Sequence, residues 1–163
     1  TLDEAMRRIA AAGRSASRAD GSGTDVKEQE LWRAAGVDTG AIVHRDRTGQ
    51  GMGATLLIAE EHRGYTPTDR GTWLAFRSRL TLVPLVEGDP RLRNIYHAYI
   101  VATPGASTHR RAARAFVDFL VAPATQQLIG RFGRARFGQL SPKYVQRPAL
   151  SSRTIRPSFT APP

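Results

Sequence analysis

The chain has 163 residues, enough for one ordinary domain or two small lobes, and 40% of them are hydrophobic. No apolar run approaches the roughly 18 residues that a membrane-spanning helix needs, and the charged residues at positions 1–12 predict an amphipathic helix rather than a secretion signal. The absence of cysteine excludes disulfides, thiolate zinc sites and cysteine nucleophiles.

The net charge of +10 is concentrated in the last third of the chain. Residues 109–163 hold ten basic residues and one acid, whereas residues 1–108 hold fourteen and thirteen. All but two of the 24 basic residues are arginine, which fits a compositional preference for arginine; a functional basic surface is the alternative. The basic region lacks the aromatic interleaving of many nucleic-acid binders, so nucleic acid is not an expected partner.

The N-terminal segment predicts two helices separated by a polar stretch. A capping-box pattern starts a helix over 2–12, and a second capping pair, Asp25 and Glu28, starts another over 25–35. Between them, residues 14–18 predict a short connection or a weak strand, because RSASR has almost no apolar content.

The middle of the chain predicts one strand and two helices. GAIVHRD (40–46) is typical of a short strand, and a loop with three alternate glycines leads into an apolar helix over 54–61. A third helix begins at a cap supplied by Thr68 or Asp69.

The following segments predict two further strands and two helices. LTLVPLV (80–86) predicts an edge strand because it contains a proline, and the continuous apolar run IYHAYIVA (95–102) predicts a buried strand. Apolar residues at helical spacing predict helices over 107–122 and 124–132. Strands that alternate with helices indicate an α/β layer structure.

Small or capping residues precede a helix three times, at 21–25, 49–53 and 66–69. The first turn of a helix offers unpaired N–H groups and a partial positive charge, and glycine lets an anion approach the backbone. The planar, charged guanidinium of Arg18 would add donors for two oxygens of one anion. The pattern therefore suggests anion-binding loops, with a well-made cap or turn as the alternative reading of each.

Patterns typical of enzymes are missing from the sequence. The four histidines lack metal-ligand spacing, no GxSxG motif occurs, and the glycine-rich loop is not a P-loop. The scattered carboxylates Asp20, Asp69 and Asp89 fit turns or caps. We therefore expect no catalysis, no resident metal and no cofactor.

Three blocks, SRADGSGTDVKEQELWRAAGV, GQGMGATLLIAEEHRGYTPTDRGTWLAF and LVEGDPRLRNIYHAYIVATP, occur in this order within about residues 3–130. Together they resemble the tungstate-binding periplasmic component of ABC transporters. The resemblance implies an α/β protein of the type II periplasmic-binding-protein fold, with two lobes and a hinge. Such a protein closes on a tetrahedral oxyanion, tungstate or molybdate, and presents it to a membrane permease.

The resemblance also implies a set of ligand-binding residues, carried over position by position onto the SRxDxSGT, GQGMGAT and TDRGT motifs. They are Arg18, Ser22, Gly23, Thr24, Gly51, Met52, Gly53, Thr68 and Arg70. Asp69 is expected to cap and orient, because a carboxylate beside a divalent oxyanion would be repelled. The chain departs from the family at Asp25, where a histidine is usual, and in RSAS, which replaces an apolar strand.

A segment that precedes these motifs in the family, with a Thr/Ser-rich anion loop, has no match in this sequence, so we expect the first lobe to be only partly present. The expected organisation is a second lobe over 1–79, a hinge over 80–96, the C-terminal part of the first lobe over 97–145, and a basic Pro/Ser-rich tail over 146–163. The expected location is periplasmic or extracellular, with membrane contact only through the permease or an N-terminal anchor outside this chain.

Two other hypotheses remain open at this point. In the first hypothesis, the chain is a degenerate or truncated binding fold that captures no anion, and its basic C-terminal third is an interaction surface. Alternatively it is an enzyme on the same fold, although no nucleophile–base pair supports that.

Overall fold

A computed structural model of the chain describes residues 1–100 and 107–138. The chain divides into two compact units, and the described residues of the first are 1–97 and 133–138. Seven helices and two strands occur in the described residues: α1 (Leu2–Ala12), β1 (Arg14–Ser17), α2 (Gly23–Ala34), β2 (His44–Arg47), α3 (Met52–Glu61), α4 (Arg70–Phe76), α5 (Ser107–Val121), α6 (Pro123–Arg131) and α7 (Arg134–Phe137).

β1 and β2 form a parallel pair in which Arg14 lies opposite His44 and Ser17 opposite Arg47. On the other side of β1, the backbone at Tyr65 forms a parallel bridge, and its carbonyl accepts the N–H of Ala16 at 2.8 Å. Three parallel segments therefore lie side by side in the order Tyr65, β1, β2. Their carboxyl ends share one edge, and α4, α2 and α3 respectively follow them.

Helices cover β1 and create the core of the first unit. All three side chains of β1 after Arg14 are buried, so both faces of the strand are covered, and α1 and α3 both pack against it. The main apolar cluster joins α1 and α2 with the approach to β2, and it consists of Leu2, Met6, Leu31, Trp32, Ala35 and Ile42.

The helix ends show which capping predictions hold. The prediction for α1 is confirmed, because the hydroxyl oxygen of Thr1 accepts the N–H of Glu4 at 3.3 Å. The predicted Asp25–Glu28 capping pair is wrong: Ser22 caps α2, and its hydroxyl oxygen accepts the N–H of Asp25 at 3.4 Å. Glu28 is instead turned into the core, where it is 1% exposed.

The strand predicted at 80–86 is wrong, and residues 95–100 of the second predicted strand are also not a strand. The N–H groups of Thr81 and Leu82 donate to the carboxylate of Glu60, so side-chain bonding replaces a β ladder. The apolar residues of these segments are largely exposed: Val83, Leu85, Ile95, Tyr96 and Tyr99. A strand needs a neighbour, and within residues 1–100 no segment pairs with them.

The helices predicted at 107–122 and 124–132 are confirmed as α5 and α6. None of the described helices is long and apolar enough to cross a membrane. The end of the strand predicted at 95–102 and the tail over 146–163 lie outside the described residues. The lobe and hinge boundaries stay predictions.

A buried ion pair ties α2 to β2. One carboxylate oxygen of Glu28 accepts the indole N–H of Trp32 at 2.9 Å and a guanidinium N–H of Arg45 at 3.1 Å. Arg45 is 14% exposed at its side chain. Removing one partner of such a pair leaves a buried charge without compensation.

We therefore predict that Arg45→Met lowers the free energy of unfolding by about 3 kcal/mol in urea denaturation, because Glu28 loses its counter-charge. The control is Lys27→Met, which breaks the exposed Lys27–Glu30 pair of α2 and should cost far less, because a solvent-exposed pair contributes little. Equal losses in the two variants would contradict the importance of the buried pair.

His62 and Asp46 form a pH-dependent contact between the end of α3 and β2. The imidazole Nδ1 lies 2.7 Å from a carboxylate oxygen of Asp46, and this hydrogen bond raises the pKa of His62. A raised folded-state pKa means that the pair stabilises the fold below the ordinary pKa of histidine. The contribution is lost as the pH rises through the raised value.

Asp46→Asn should accordingly destabilise the chain more at about pH 5.5 than at about pH 9, as measured by urea denaturation at both values. The same substitution in a His62→Gln background should show no such difference. An equal effect of Asp46→Asn at the two pH values in the native background would contradict the assignment.

Candidate functional site

The sheet edge carries three turns that precede helices: the α2 turn (residues 18–25), the α3 turn (48–53) and the α4 turn (66–70). The hydrogen-bond ladder continues past the ends of β1 and β2, because the N–H of Thr48 donates to Ser17 at 2.9 Å and that of Gly49 to Arg18 at 2.8 Å. The α2 and α3 turns are thus held side by side. Ligands of open α/β sheets bind outside the carboxyl ends of the strands, which is where these turns lie.

A cavity of about 760 Å³ opens in the first unit beside these turns. Among the nine predicted site residues, those that line it are Arg18, Gly23, Thr24 and Thr68. The structure therefore brings together parts of the α2 and α4 turns. The other five predicted residues do not line this cavity: Ser22, Gly51, Met52, Gly53 and Arg70.

Asp20 organises the first half of the α2 turn. One of its carboxylate oxygens accepts from Arg18 Nε at 3.1 Å and Nη2 at 2.5 Å. The other accepts the backbone N–H of Ser22 at 3.1 Å. Hydrogen bonding from the side chain and backbone of Ser22, with help from Arg18, lowers the pKa of Asp20 to about 2, so the carboxylate is charged at neutral pH.

Asp25 organises the second half of the same turn. Its carboxylate accepts the N–H of Gly21 at 2.9 Å and the side-chain amide of Gln29 at 3.3 Å. Within the described part of the chain, the backbone N–H groups of Gly23 and Thr24 have no such acceptor, and the Thr24 hydroxyl makes no hydrogen bond. The first turn of α2 therefore keeps donors that an anion could use.

Residues of the α3 turn contribute to packing. Gly51 is the N-cap and has no side-chain capping bond, while Met52 is 6% exposed and points into the core. A Cβ at Gly53 would lie 2.7 Å from Cζ of Phe76, so a larger residue would displace the Phe76 ring where α3 meets α4.

The α4 turn is capped as predicted by Asp69, whose carboxylate accepts the N–H of Thr72 at 2.8 Å and its hydroxyl at 2.7 Å. The hydroxyl of Thr68 donates to the carbonyl of Asp69 at 3.2 Å. Arg70 forms an ion pair with Glu87, so its guanidinium is already engaged.

The sequence does not predict the bridge that Asp20 makes between Arg18 and Ser22. The Arg-x-Asp-x-Ser spacing is present, but it is equally typical of an aspartate that only stabilises a turn. The bridge depends on side-chain rotamers that a sequence does not specify.

An α/β fold with ligand-accessible turns at the carboxyl edge of parallel segments is the arrangement of a solute-binding domain. The chain belongs to the PBP superfamily, whose domain model matches residues 11–124. This confirms the α/β periplasmic-binding-protein fold expected from the sequence.

The similar proteins include several described as tungstate-binding, which confirms the resemblance found in the sequence. The chain is 36% identical over 124 residues to the tungstate-binding protein TupA of Peptoclostridium acidaminophilum, covering 75% of this chain and 43% of that protein. In structure it is similar to the tungstate-binding protein TupA of Desulfovibrio alaskensis G20, with a TM-score of 0.63, 33% identity, and coverage of 81% of this chain and 56% of that one. The tungstate ABC transporter structure from Geobacter sulfurreducens matches with a TM-score of 0.61, 32% identity and coverage of 81% and 56%.

The chain spans 40% to 45% of the length of the curated relatives that it matches. The family match, over residues 11–124, includes all three turns of this chain.

The packing of Gly53 leads to a prediction about the α3 turn. Gly53→Ala should force the ring of Phe76 to move and lower the free energy of unfolding by about 1–3 kcal/mol, measured by urea denaturation. The control is Gly51→Ala, because nothing lies within 4 Å of a Cβ at that position and its φ of −63° suits any residue. A loss at Gly53 no larger than at Gly51 would contradict this role in helix packing.

Proposed function

We propose that the chain binds a tetrahedral oxyanion, tungstate or molybdate, at the carboxyl edge of its parallel segments and delivers it to the permease of an ABC transporter. The observation that carries the proposal is the open donor set in one cavity: the N–H groups of Gly23 and Thr24 together with Arg18. The similarity to tungstate-binding proteins supports the choice of anion.

The proposed binding is non-covalent, and each contact is a hydrogen bond to an oxygen of the anion. Backbone N–H groups at a helix N-terminus suit this task because they combine a donor with the positive end of the helix dipole. Arg18 adds a full positive charge and Thr24 adds a neutral hydroxyl, while the Thr68 hydroxyl would have to turn away from the carbonyl of Asp69 to add a second. In this proposal Gly23 is a glycine so that the anion can approach the backbone.

The other predicted residues have supporting roles in this proposal. Ser22 caps α2, Gly51 and Gly53 allow the α3 turn to approach the site, Met52 anchors that turn in the core, and Arg70 fixes the α4 turn through Glu87. Backbone N–H groups of the α3 turn complete the donor set when the anion is bound.

Such a protein works outside the cytoplasmic membrane, in the periplasm or at the cell surface, and its macromolecular partner is the permease. We propose no catalytic role, no resident metal and no cofactor. Tungsten or molybdenum is cargo, bound through its oxygens.

The direct test is isothermal titration calorimetry with tungstate, molybdate, sulfate and phosphate. We predict binding of tungstate or molybdate, and a loss of about 10- to 100-fold in affinity in Arg18→Gln, because a charge-assisted hydrogen bond is removed. The matched control is Arg33→Gln, which removes an exposed arginine from the last turn of α2 and should leave the affinity unchanged.

The titrations should also be run on a chimera in which the remaining portion of the Peptoclostridium relative completes the fold, because donors from that portion would strengthen binding. Binding in neither protein would contradict the proposal. Salt-dependent retention on heparin without anion binding would instead favour a basic interaction surface.

A further inference from the structure

Arg18 is held from one side only. Its Nε and Nη2 both donate to a single oxygen of Asp20, and the two side chains are 20% and 22% exposed. The carboxylate uses its other oxygen to accept the N–H of Ser22. Within the described residues, Nη1 of Arg18 has no hydrogen-bond partner, and Arg18 lines the cavity, so this nitrogen has donors left for a ligand.

An arginine side chain has many rotamers, and a ligand must order them unless the protein has already done so. A carboxylate anchored to the backbone provides such order, because it fixes both the position and the plane of the guanidinium. Asp20 meets this requirement, since its bond to Ser22 ties it to the residue that caps α2. Arg18 and the first turn of α2 also line the same cavity.

The negative charge of Asp20 would also repel an oxyanion, so two opposite effects must be weighed. Both carboxylate oxygens already accept hydrogen bonds, one of them from two N–H groups of a cation. These bonds offset part of the charge of the carboxylate, and in the described residues they are the only hydrogen bonds of the Arg18 side chain. Ordering should therefore exceed repulsion.

We propose that Asp20 is a positioning residue of the oxyanion site: it holds the Nε side of Arg18 and so presents the Nη1 side to an anion bound at the N–H groups of Gly23 and Thr24. This inference rests on the proposed function.

The test is a double-mutant cycle with Asp20→Ala and Arg18→Gln, read by calorimetry with tungstate. Asp20→Ala should lower the affinity about tenfold when Arg18 is present and less than twofold in the Arg18→Gln background. Asp20→Glu and Asp20→Asn, which keep an acceptor oxygen, should recover part of the loss. Thermal unfolding followed by circular dichroism establishes that each variant is folded.

Asp38→Ala is the matched control. Asp38 also accepts the backbone N–H two residues ahead, that of Gly40, at 2.9 Å, and no arginine contact accompanies that bond in the described residues. Its loss should leave the tungstate affinity unchanged. A higher affinity in Asp20→Ala would show that the carboxylate competes with the anion, and an equal loss in both Arg18 backgrounds would show that it acts through the turn alone; either result overturns the proposal.

A second measurement separates this inference from the proposed function. In NMR spectra without any anion, the Nε–H signal of Arg18, assigned by its absence in Arg18→Gln, should be protected from exchange in the native chain and not in Asp20→Ala. A freely exchanging signal in the native chain would overturn the positioning role even if tungstate binds. A protected signal with no tungstate binding would leave the positioning intact and overturn the proposed function.

Discussion

β1 and β2 run parallel, and their hydrogen-bond ladder extends beyond the strand ends into the turns that follow them. The bridge at Tyr65 adds a third parallel segment on the other side of β1. Because the three segments share a direction, the helices after them all begin at one edge. Three helix N-termini, each with unpaired N–H donors, therefore lie at the same edge of the sheet. Each of them is an ordinary helix start, and only their shared position makes the edge suitable for an anion.

The same geometry concentrates positive charge at this edge, and carboxylates within the α2 turn balance it. A turn that gathers N–H groups and an arginine needs counter-charges, and Asp20 and Asp25 supply them. These carboxylates use the donors that stabilise the turn and leave those of the first helical turn open. Asp20 and Asp25 accept backbone N–H groups and do not line the cavity, whereas Arg18, Gly23 and Thr24 do, so the acidic loop is compatible with anion binding.

Capping chemistry is local, and this is why the sequence predicts the helices of this chain well. Thr1 and Asp69 cap α1 and α4 as expected, because a side-chain oxygen and an N–H three residues ahead suffice. Strands depend on partners elsewhere in the chain, so the apolar pattern at 80–86 and 95–100 predicts strands that the structure lacks. β1 shows the converse: RSAS has a poor strand pattern, yet pairing on both sides makes it the central strand.

The candidate site shows the same difference between local features, which the sequence predicts, and packing, which it does not. The motifs predict which turns meet, because helix starts and their order along the chain are readable, and Arg18, Gly23, Thr24 and Thr68 do line one cavity. The motifs do not predict that Met52 is buried or that Asp20 accepts hydrogen bonds from Arg18, because both facts depend on packing and rotamers. Family motifs thus predict the candidate turns, while the structure distinguishes residues that line the cavity from those that shape the turns.

The most direct test of the account is a crystal structure of the chain, or of its completed chimera, grown with tungstate and measured at the tungsten absorption edge. Anomalous scattering locates tungsten without prior assumptions. We expect one strong peak, placed so that the tungstate oxygens reach the N–H groups of Gly23 and Thr24 and Nη1 of Arg18. A strong peak elsewhere, or none at saturating tungstate, would contradict it.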